Sequence, residues 1–472
     1  MFIRRLTVKD VRSFKTAELH FSVPGESTGQ LPNVTLLLGN NGTGKTALLS
    51  SVAIACLGPA LEDSGFMPYY QVRRAGQSKH DSDAKAAQFE AELLLHYVDS
   101  PNVIEPDSAK LRTVKTTIIR RGEKELIRTV SHRKLDLWER LFERRAPGFL
   151  VLGYGATRRV DRSESFDPMQ TERQRSTRYQ RVASLFEDHV PLIPVGFALN
   201  TLATNRSRGD AFIDLLKCLL PEEVKLVRTR GSFQFIHENV ELPFWALSDG
   251  YRAYIGMAID LVYRIFSSTK NMTHDPTKVP AIVLIDEIDL HLHPSWQRNI
   301  VLHIARALPC VQFIITTHSA IVAGTVPSES VRVLLRDSQH RVSVAENPEA
   351  FWGRSADEIL LSSYFGLPST RAPGAANQLQ MLSQRALTGD AAAADKYLDV
   401  LAGRLGLKDT ESAKTSRTKK TSRTKKTSRT KKTSRTKKKT SQMKKTSRTK
   451  KTSQMKSMSR TKKETMRNEA KR

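Results

Sequence analysis

Cysteine is scarce in this 472-residue chain: Cys56, Cys218 and Cys310 lie far apart and form no CxxC pair. That excludes a disulfide framework and a cysteine zinc site, and it points to a reducing compartment, the cytoplasm. Long hydrophobic runs are missing as well. No stretch approaches 18 uncharged apolar residues, and residues 1–10 alternate apolar with charged side chains where a leader would have an apolar core, so neither a membrane span nor secretion is expected. Acidic residues nearly vanish from one region only. Residues 414–472 hold 26 Lys and Arg against Glu464 and Glu469, a net of +24, which leaves +4 of the formal +28 for the remaining 413 residues. The high pI is therefore not that of a basic DNA-binding fold. A near-neutral globular part carries a cationic extension.

What is present is an α/β pattern. Residues 2–8 and 17–21 alternate as an antiparallel pair, and 34–38 form a continuous apolar run of the kind buried on both faces. A glycine cluster follows, then helical character at 47–55. Residues 89–98 and 113–120 read as strands, and 158–223, dense in Arg and Ser, as a helical insertion. Strands return at 224–229 and 233–237. A helix at 250–266, a strand at 281–285, a helix at 295–308 and strands at 311–316 and 331–335 complete the alternation of one largely parallel sheet spanning the insertion. The expected domains are thus 1–157, the insertion 158–223, the second half 224–346 and a helical segment 347–413. From 414 to 472 a Thr-Ser-Arg-Thr-Lys-Lys hexad recurs, without an apolar face to offset its ordering entropy, and is expected to be disordered.

The chemistry is concentrated in a few short motifs. Gly39-Asn40-Asn41-Gly42-Thr43-Gly44-Lys45-Thr46 fits GxxxxGK[ST] between an apolar strand and a helix. Glycines let backbone N–H groups converge on phosphate oxygens, Lys45 neutralises the β- and γ-phosphates, and Thr46 offers a hydroxyl to Mg²⁺; ATP and Mg²⁺ are the expected cofactors. The apolar strand 282–285 ends in Asp286 and Glu287, one carboxylate for the metal and one to deprotonate water. His291 and His293 lack the third and fourth ligands of a zinc site, and Trp245 and Trp296 read as core anchors.

Leu247-Ser248-Asp249-Gly250-Tyr251-Arg252 precedes a long helix, and Thr316-Thr317-His318-Ser319 follows an apolar strand. The order of phosphate loop, LSxGx[QR] signature, acidic strand end and histidine resembles the ABC ATPase superfamily. The text Asp286-Glu287-Ile288-Asp289-Leu290-His291-Leu292-His293-Pro294 and the opening Val11-Arg12-Ser13-Phe14 resemble its RecF, SMC and OLD branch. Tyr154-Gly155 with Arg158, Leu185-Phe186, Leu219-Leu220-Pro221, Ile359-Leu360 and Phe365-Gly366 resemble, more narrowly, the ATP-binding subunits of Septu-type and retron-associated anti-phage systems.

The resemblance, which covers about residues 1–370, implies an ABC-type head with a mixed sheet, antiparallel in its N-terminal part and parallel in its core; the rest of the helical segment and the basic tail follow it. It implies two copies closing head to tail around ATP, Ser248 and Gly250 of one meeting the phosphates held by Lys45 of the other, with Glu287 as base, His318 as switch and Arg12 near the phosphates. His291 and His293 fall in its D-loop, and Gln71, Gln77 and Gln88 all remain open as its glutamine-loop residue. It further implies a separately encoded effector, a nuclease; the tail would hold nucleic acid without base preference, or be a tolerated repeat expansion. A repair or recombination ATPase is the alternative, though no long heptad run occurs. A transporter subunit would carry a proline after Glu287, and a fused Toprim nuclease needs acidic motifs that the isolated Asp395, Asp399 and Asp409 do not form.

Overall fold

The computed structural model describes residues 1–74, 83–96, 109–129, 149–162, 177–204, 209–229, 232–268, 275–336, 342–346 and 351–402. Gln77, Asp409, parts of the insertion and the basic tail lie outside them. Two compact units follow one another, Met1–Pro368 and the part from Ser369 on.

Three sheets build the first unit. β1 (Phe2–Val11) and β2 (Phe14–His20) pair antiparallel about the turn at Arg12 and Ser13. β3 (Val34–Gly39) leaves for the central sheet, while β4 (Ala86–His96), β5 (Ala109–Arg121) and β6 (Lys124–Thr129) extend the first sheet in the order β2-β1-β4-β5-β6, antiparallel throughout. The central sheet has the order β14-β13-β3-β12-β11-β7, with β7 (Val151–Tyr154), β11 (Ala281–Ile285), β12 (Val311–Thr316) and β13 (Val331–Arg336) parallel to β3 and only β14 (Val342–Glu346) antiparallel at the edge. Every residue of β3, β7, β11 and β12 is buried, because both faces are covered.

Helix α1 (Lys45–Asp63) fills the space between the two sheets. Its residues Ala47–Leu49 and Val52–Leu57 join Leu37, Ile282, Leu284 and Ile314 of the central sheet and Ile3, Leu6, Phe89 and Ile118 of the antiparallel one in a single core. Gly58 has no Cβ because one would collide with Thr116 on β5. By length and composition α1 could cross a membrane; here its apolar girth serves burial between two sheets. On the opposite face, Leu36, Leu38, Val283, Ile285, Phe313 and Ile315 meet α2 (Val195–Thr204), α3 (Gly209–Leu219), α4 (Asp249–Ser268) and α5 (Ile300–Ala307).

Some expectations need correction. The strands at 224–229 and 233–237 do not join the parallel sheet: β8 (Val224–Thr229), β9 (Ser232–His237) and β10 (Val240–Leu242) form an antiparallel sheet of their own. Their burial is partial, unlike the uniformly buried central strands. The place in the central sheet is taken by β7, a strand too short to announce itself and interrupted by Gly153, where a Cβ would strike Leu185. Residues 295–308 are not one helix, since Pro294–Gln297 stops and Asn299 starts α5 anew. His291 lies in the turn after β11 and His293 just beyond it, where it caps Pro294–Gln297. In the second unit, Pro373–Leu387 and Ala391–Leu401, both within the segment expected to be helical, form a helical pair with Arg385 bonded to Asp390 at their junction.

Candidate functional site

The carboxyl ends of β3, β11, β12 and β7 come out side by side, and each delivers one part of the site. This is where an open parallel sheet leaves room for a ligand. Beyond β3, the glycine loop runs into α1. Gly39, Gly42 and Gly44 have φ of +153°, +75° and +94°, values that favour glycine. A Cβ on Gly39 would lie 2.8 Å from the Leu334 carbonyl oxygen, and one on Gly44 would lie 2.7 Å from the Phe14 ring and 2.9 Å from Ser13 Oγ. The loop is thus pressed between β13 and the β1–β2 turn. That turn carries Arg12, itself at φ +47°.

Lys45 is nearly buried at 5% exposure, with its ammonium bonded to the carbonyl oxygens of Gly39 at 2.7 Å and Asn40 at 3.2 Å. Burial pushes its pKa down to about 8, against the pull of Asp286, Glu287 and Asp289. Asn41 is exposed at the crest of the loop, and Thr43 closes it by donating to the Asn40 carbonyl at 2.8 Å. Thr46, at the start of α1, donates to Asp286 Oδ2 at 2.7 Å. A hydroxyl and a carboxylate oxygen therefore converge at one point, the hard-oxygen pair that suits Mg²⁺. Together with the glycine cradle, this donor set fits a phosphate with its divalent cation.

The two carboxylates are held differently. Asp286 is buried, and its second oxygen accepts from Thr316 Oγ1 at 2.5 Å. The same hydroxyl accepts the Glu287 backbone N–H at 2.8 Å. Glu287 stands at φ +47°, a left-handed conformation that is costly for a residue with a Cβ. His318, just beyond β12, brings Nδ1 to 3.4 Å from the Lys45 ammonium. Burial first, then the Lys45 charge, lowers its pKa, against the pull of Glu287, Asp289 and Asp286. Asp289 accepts from Thr317 Oγ1 and from the His318 N–H, tying the turn after β11 to the histidine.

Of the residues expected at the site, Gly39 to Thr46, Asp286, Glu287 and His318 are brought together, and Arg12 lies on the turn against Gly44. Ser248 and Gly250 are not joined to the glycine loop by any hydrogen bond among the described residues. Ser248 is exposed at the start of α4, and a Cβ on Gly250 would collide with the His291 carbonyl oxygen, so the signature rests on the turn after β11. Gln71, of the three open glutamines, is the one bonded beside Arg12: its carbonyl accepts the Arg12 N–H at 3.0 Å, and its own N–H donates to the buried Glu125 at 2.7 Å. Its Oε1 is buried without a partner. Gln88 is exposed on β4. Trp296 packs edge-on against Tyr251 and donates to Glu223 at 2.7 Å, and Trp245 lies beside Phe244. Among the described residues no cluster of three His, Cys, Asp or Glu could hold a further metal.

Several site residues went unassigned in the sequence. Thr316 bonds both carboxylate positions; Gln297 links the Leu292 carbonyl at 2.9 Å to Ser319 Oγ at 2.6 Å; Arg336 donates to the Gly42 carbonyl at 3.1 Å. Threonine and glutamine carry no motif of their own. Only the conjunction of three strand ends reveals them.

Comparison with known proteins gives the family of the chain. Residues 34–323 match the family model described as "AAA domain, putative AbiEii toxin, Type IV TA system". The Septu protein PtuA of Bacillus mycoides (strain KBAB4) is 25% identical over 377 residues, 78% of this chain and 45% of the relative. The "Retron Vc95 probable ATPase" of Vibrio cholerae serotype O1 biovar El Tor is 33% identical over 140 residues, 29% of this chain and 27% of the relative. The chain spans less than half the length of these curated relatives. Among solved structures, an SMC head bound to the C-winged helix domain of ScpA superposes with a TM-score of 0.45 at 16% identity, over 73% of this chain and 98% of the other.

Proposed function

The chain belongs to this AAA-domain family, and from that premise we propose that it binds ATP with Mg²⁺ in the glycine loop and hydrolyses it. The observation that carries the reading is the meeting of Thr46 and Asp286 at 2.7 Å, beside a Glu287 whose N–H is held by Thr316, which also donates to Asp286. The cation, when bound, neutralises charge developing on the phosphates. Lys45, now on the Gly39 and Asn40 carbonyls, would bind phosphate oxygens, Thr46 and Asp286 would hold the cation, and Glu287 would take the proton of the attacking water. His318, 3.4 Å from the Lys45 ammonium, would stand beside that phosphate.

The proposal extends to assembly. An exposed Ser248 with no bond to its own glycine loop suits a head-to-tail pair in which each signature completes the partner copy's site. Such a pair closes on ATP and opens on hydrolysis. The resemblance to Septu and retron proteins supports using that switch on a separate effector, a nuclease, in anti-phage defence. Glu287→Gln tests the core of the reading: ATP should bind normally, hydrolysis should fall at least ~100-fold, and sedimentation with ATP and Mg²⁺ should show a trapped dimer. Undiminished turnover together with an unchanged oligomeric state would refute it.

A further inference from the structure

We propose that Arg158 is a positioning residue for hydrolysis, its buried guanidinium holding the backbone of Asp286 and Glu287 in the conformation that sets where the Glu287 carboxylate points. The inference rests on the reading of Glu287 as the base.

The backbone bonds at the end of β11 can be counted completely. The Asp286 N–H donates to the Tyr154 carbonyl at 2.8 Å, across the ladder to β7, and the Glu287 N–H donates to Thr316 Oγ1 at 2.8 Å, across to β12. The carbonyls are held from elsewhere. Arg158 Nη2 donates to the oxygens of both Asp286 and Glu287, each at 2.6 Å, and the Leu290 N–H adds a third bond to Glu287 at 3.0 Å. In an extended strand successive carbonyls point to opposite sides. Two of them can converge on one nitrogen only if the chain turns sharply between them, and the positive φ of Glu287 is that turn. The guanidinium and the unusual backbone are therefore one feature.

Among the described residues no ion pair explains an arginine there: the side chain is 3% exposed and its Nε is buried without an acceptor. Burying an unpaired guanidinium is costly, and an apolar side chain of similar volume would pack without that cost. Arg158 also stands at φ +37°, a second left-handed residue facing the first. Burial lowers its pKa to about 10, with Asp286, Asp289 and Glu287 opposing, so it stays charged at neutral pH. It follows β7, whose Tyr154 hydroxyl donates to the fully buried Asp260 of α4 at 2.9 Å. The support of Glu287 thus rests on the helix that begins at the signature.

The test uses the full chain carrying Arg158→Lys or Arg158→Met, with kcat, KM, the Kd for Mg-ATP and the melting temperature measured for each. A misplaced base costs turnover and spares binding, so kcat should fall by ~30- to 100-fold while Kd changes by less than about threefold. Lysine, which can reach one carbonyl, should recover part of the loss. In a Glu287→Gln background the same substitutions should cost nothing more, because the effect passes through Glu287. Unchanged kcat in the lysine and methionine variants would overturn the proposal. So would a loss that multiplies in the Glu287→Gln background, or a kcat that falls only in step with Kd and melting temperature. If the methionine variant does not fold, the lysine variant decides by the same comparisons. Failure of Glu287 as base would be read separately, with Arg158 intact.

Discussion

Replacing Thr316 by valine removes one hydroxyl and keeps the side-chain volume, at a site with 0% exposure where no water can stand in. Two bonds are lost. The donation to the Asp286 carboxylate, 2.5 Å long, is charge-assisted and worth about 1.5–3 kcal/mol, and the Glu287 N–H is left buried without its 2.8 Å acceptor at about 1–3 kcal/mol. The extra methyl returns about 0.8 kcal/mol. A net loss of about 2–5 kcal/mol should therefore appear in chemical denaturation. Hydrolysis should suffer as well, because Glu287 keeps its carbonyl anchors and loses the one on its N–H side, while Asp286 is left with Thr46 alone; a fall in kcat of ~10- to 100-fold is expected. Thr316→Ser, which keeps the hydroxyl, should stay within about 1 kcal/mol of the native protein and keep most of its turnover. If the valine variant matches the serine variant in both stability and kcat, the hydroxyl does not organise the two carboxylates and the reasoning fails.

Other expectations concern more distant parts. Mixing Ser248→Arg with Lys45→Ala subunits should restore hydrolysis that neither variant shows alone; no recovery, once subunit exchange is demonstrated, would argue against head-to-tail pairing. Gly250→Ala puts a methyl against the His291 carbonyl, so it should lower ATPase activity with little change in the Kd for ATP, measured on the same preparation. Truncation after Ala413 should leave melting temperature and ATPase activity intact while abolishing most low-salt duplex binding, since the removed segment carries +24. Retained binding would place the cationic contact in the globular part. At Glu346, partial burial works to raise the pKa, but hydrogen bonds from His20 and the Arg332 charge outweigh it and hold it below 4.5. Its stabilisation is thus present above pH ~4.5 and lost as the pH falls through the folded-state value. The stability gap between Glu346→Gln and the native protein should close at low pH, and a gap independent of pH would contradict this.

The parts of the site legible in sequence are those whose chemistry is contiguous. Gly39 to Thr46 fold as one loop, and Asp286 and Glu287 are neighbours, so their pattern is preserved in the linear text. Thr316 reaches the Glu287 backbone 29 residues away and Gln297 reaches the Ser319 hydroxyl 22 residues away, and a hydroxyl or amide at such a distance leaves no spacing to find; Arg158 stands out only through the resemblance, not through its contact with Asp286 and Glu287. The fold divides in the same way. Uniform apolar runs identified β3, β11 and β12, whereas β7, four residues with a glycine inside, owes its place to pairing with β11 and not to its own composition. The strands at 224–237 misled because strand character does not say which sheet a strand joins.

The sheet order also constrains how the molecule is made. β3 is flanked by β12 and β13, so the strand that bears the phosphate loop finds its neighbours only after nearly 300 further residues have been added. At about 5–20 residues per second, the ribosome takes roughly 15–60 s to deliver them. Through that interval α1 has only the antiparallel sheet to lie against, and its other side, greasy enough to suit a bilayer, faces water. Even the first strand waits, because the Gln312 side chain bonds both the N–H and the carbonyl of Ile3. A chain cut short between α1 and β12 lacks β12 and β13, so it cannot close the nucleotide site, and the side of α1 that packs on the central sheet has no full sheet to cover it.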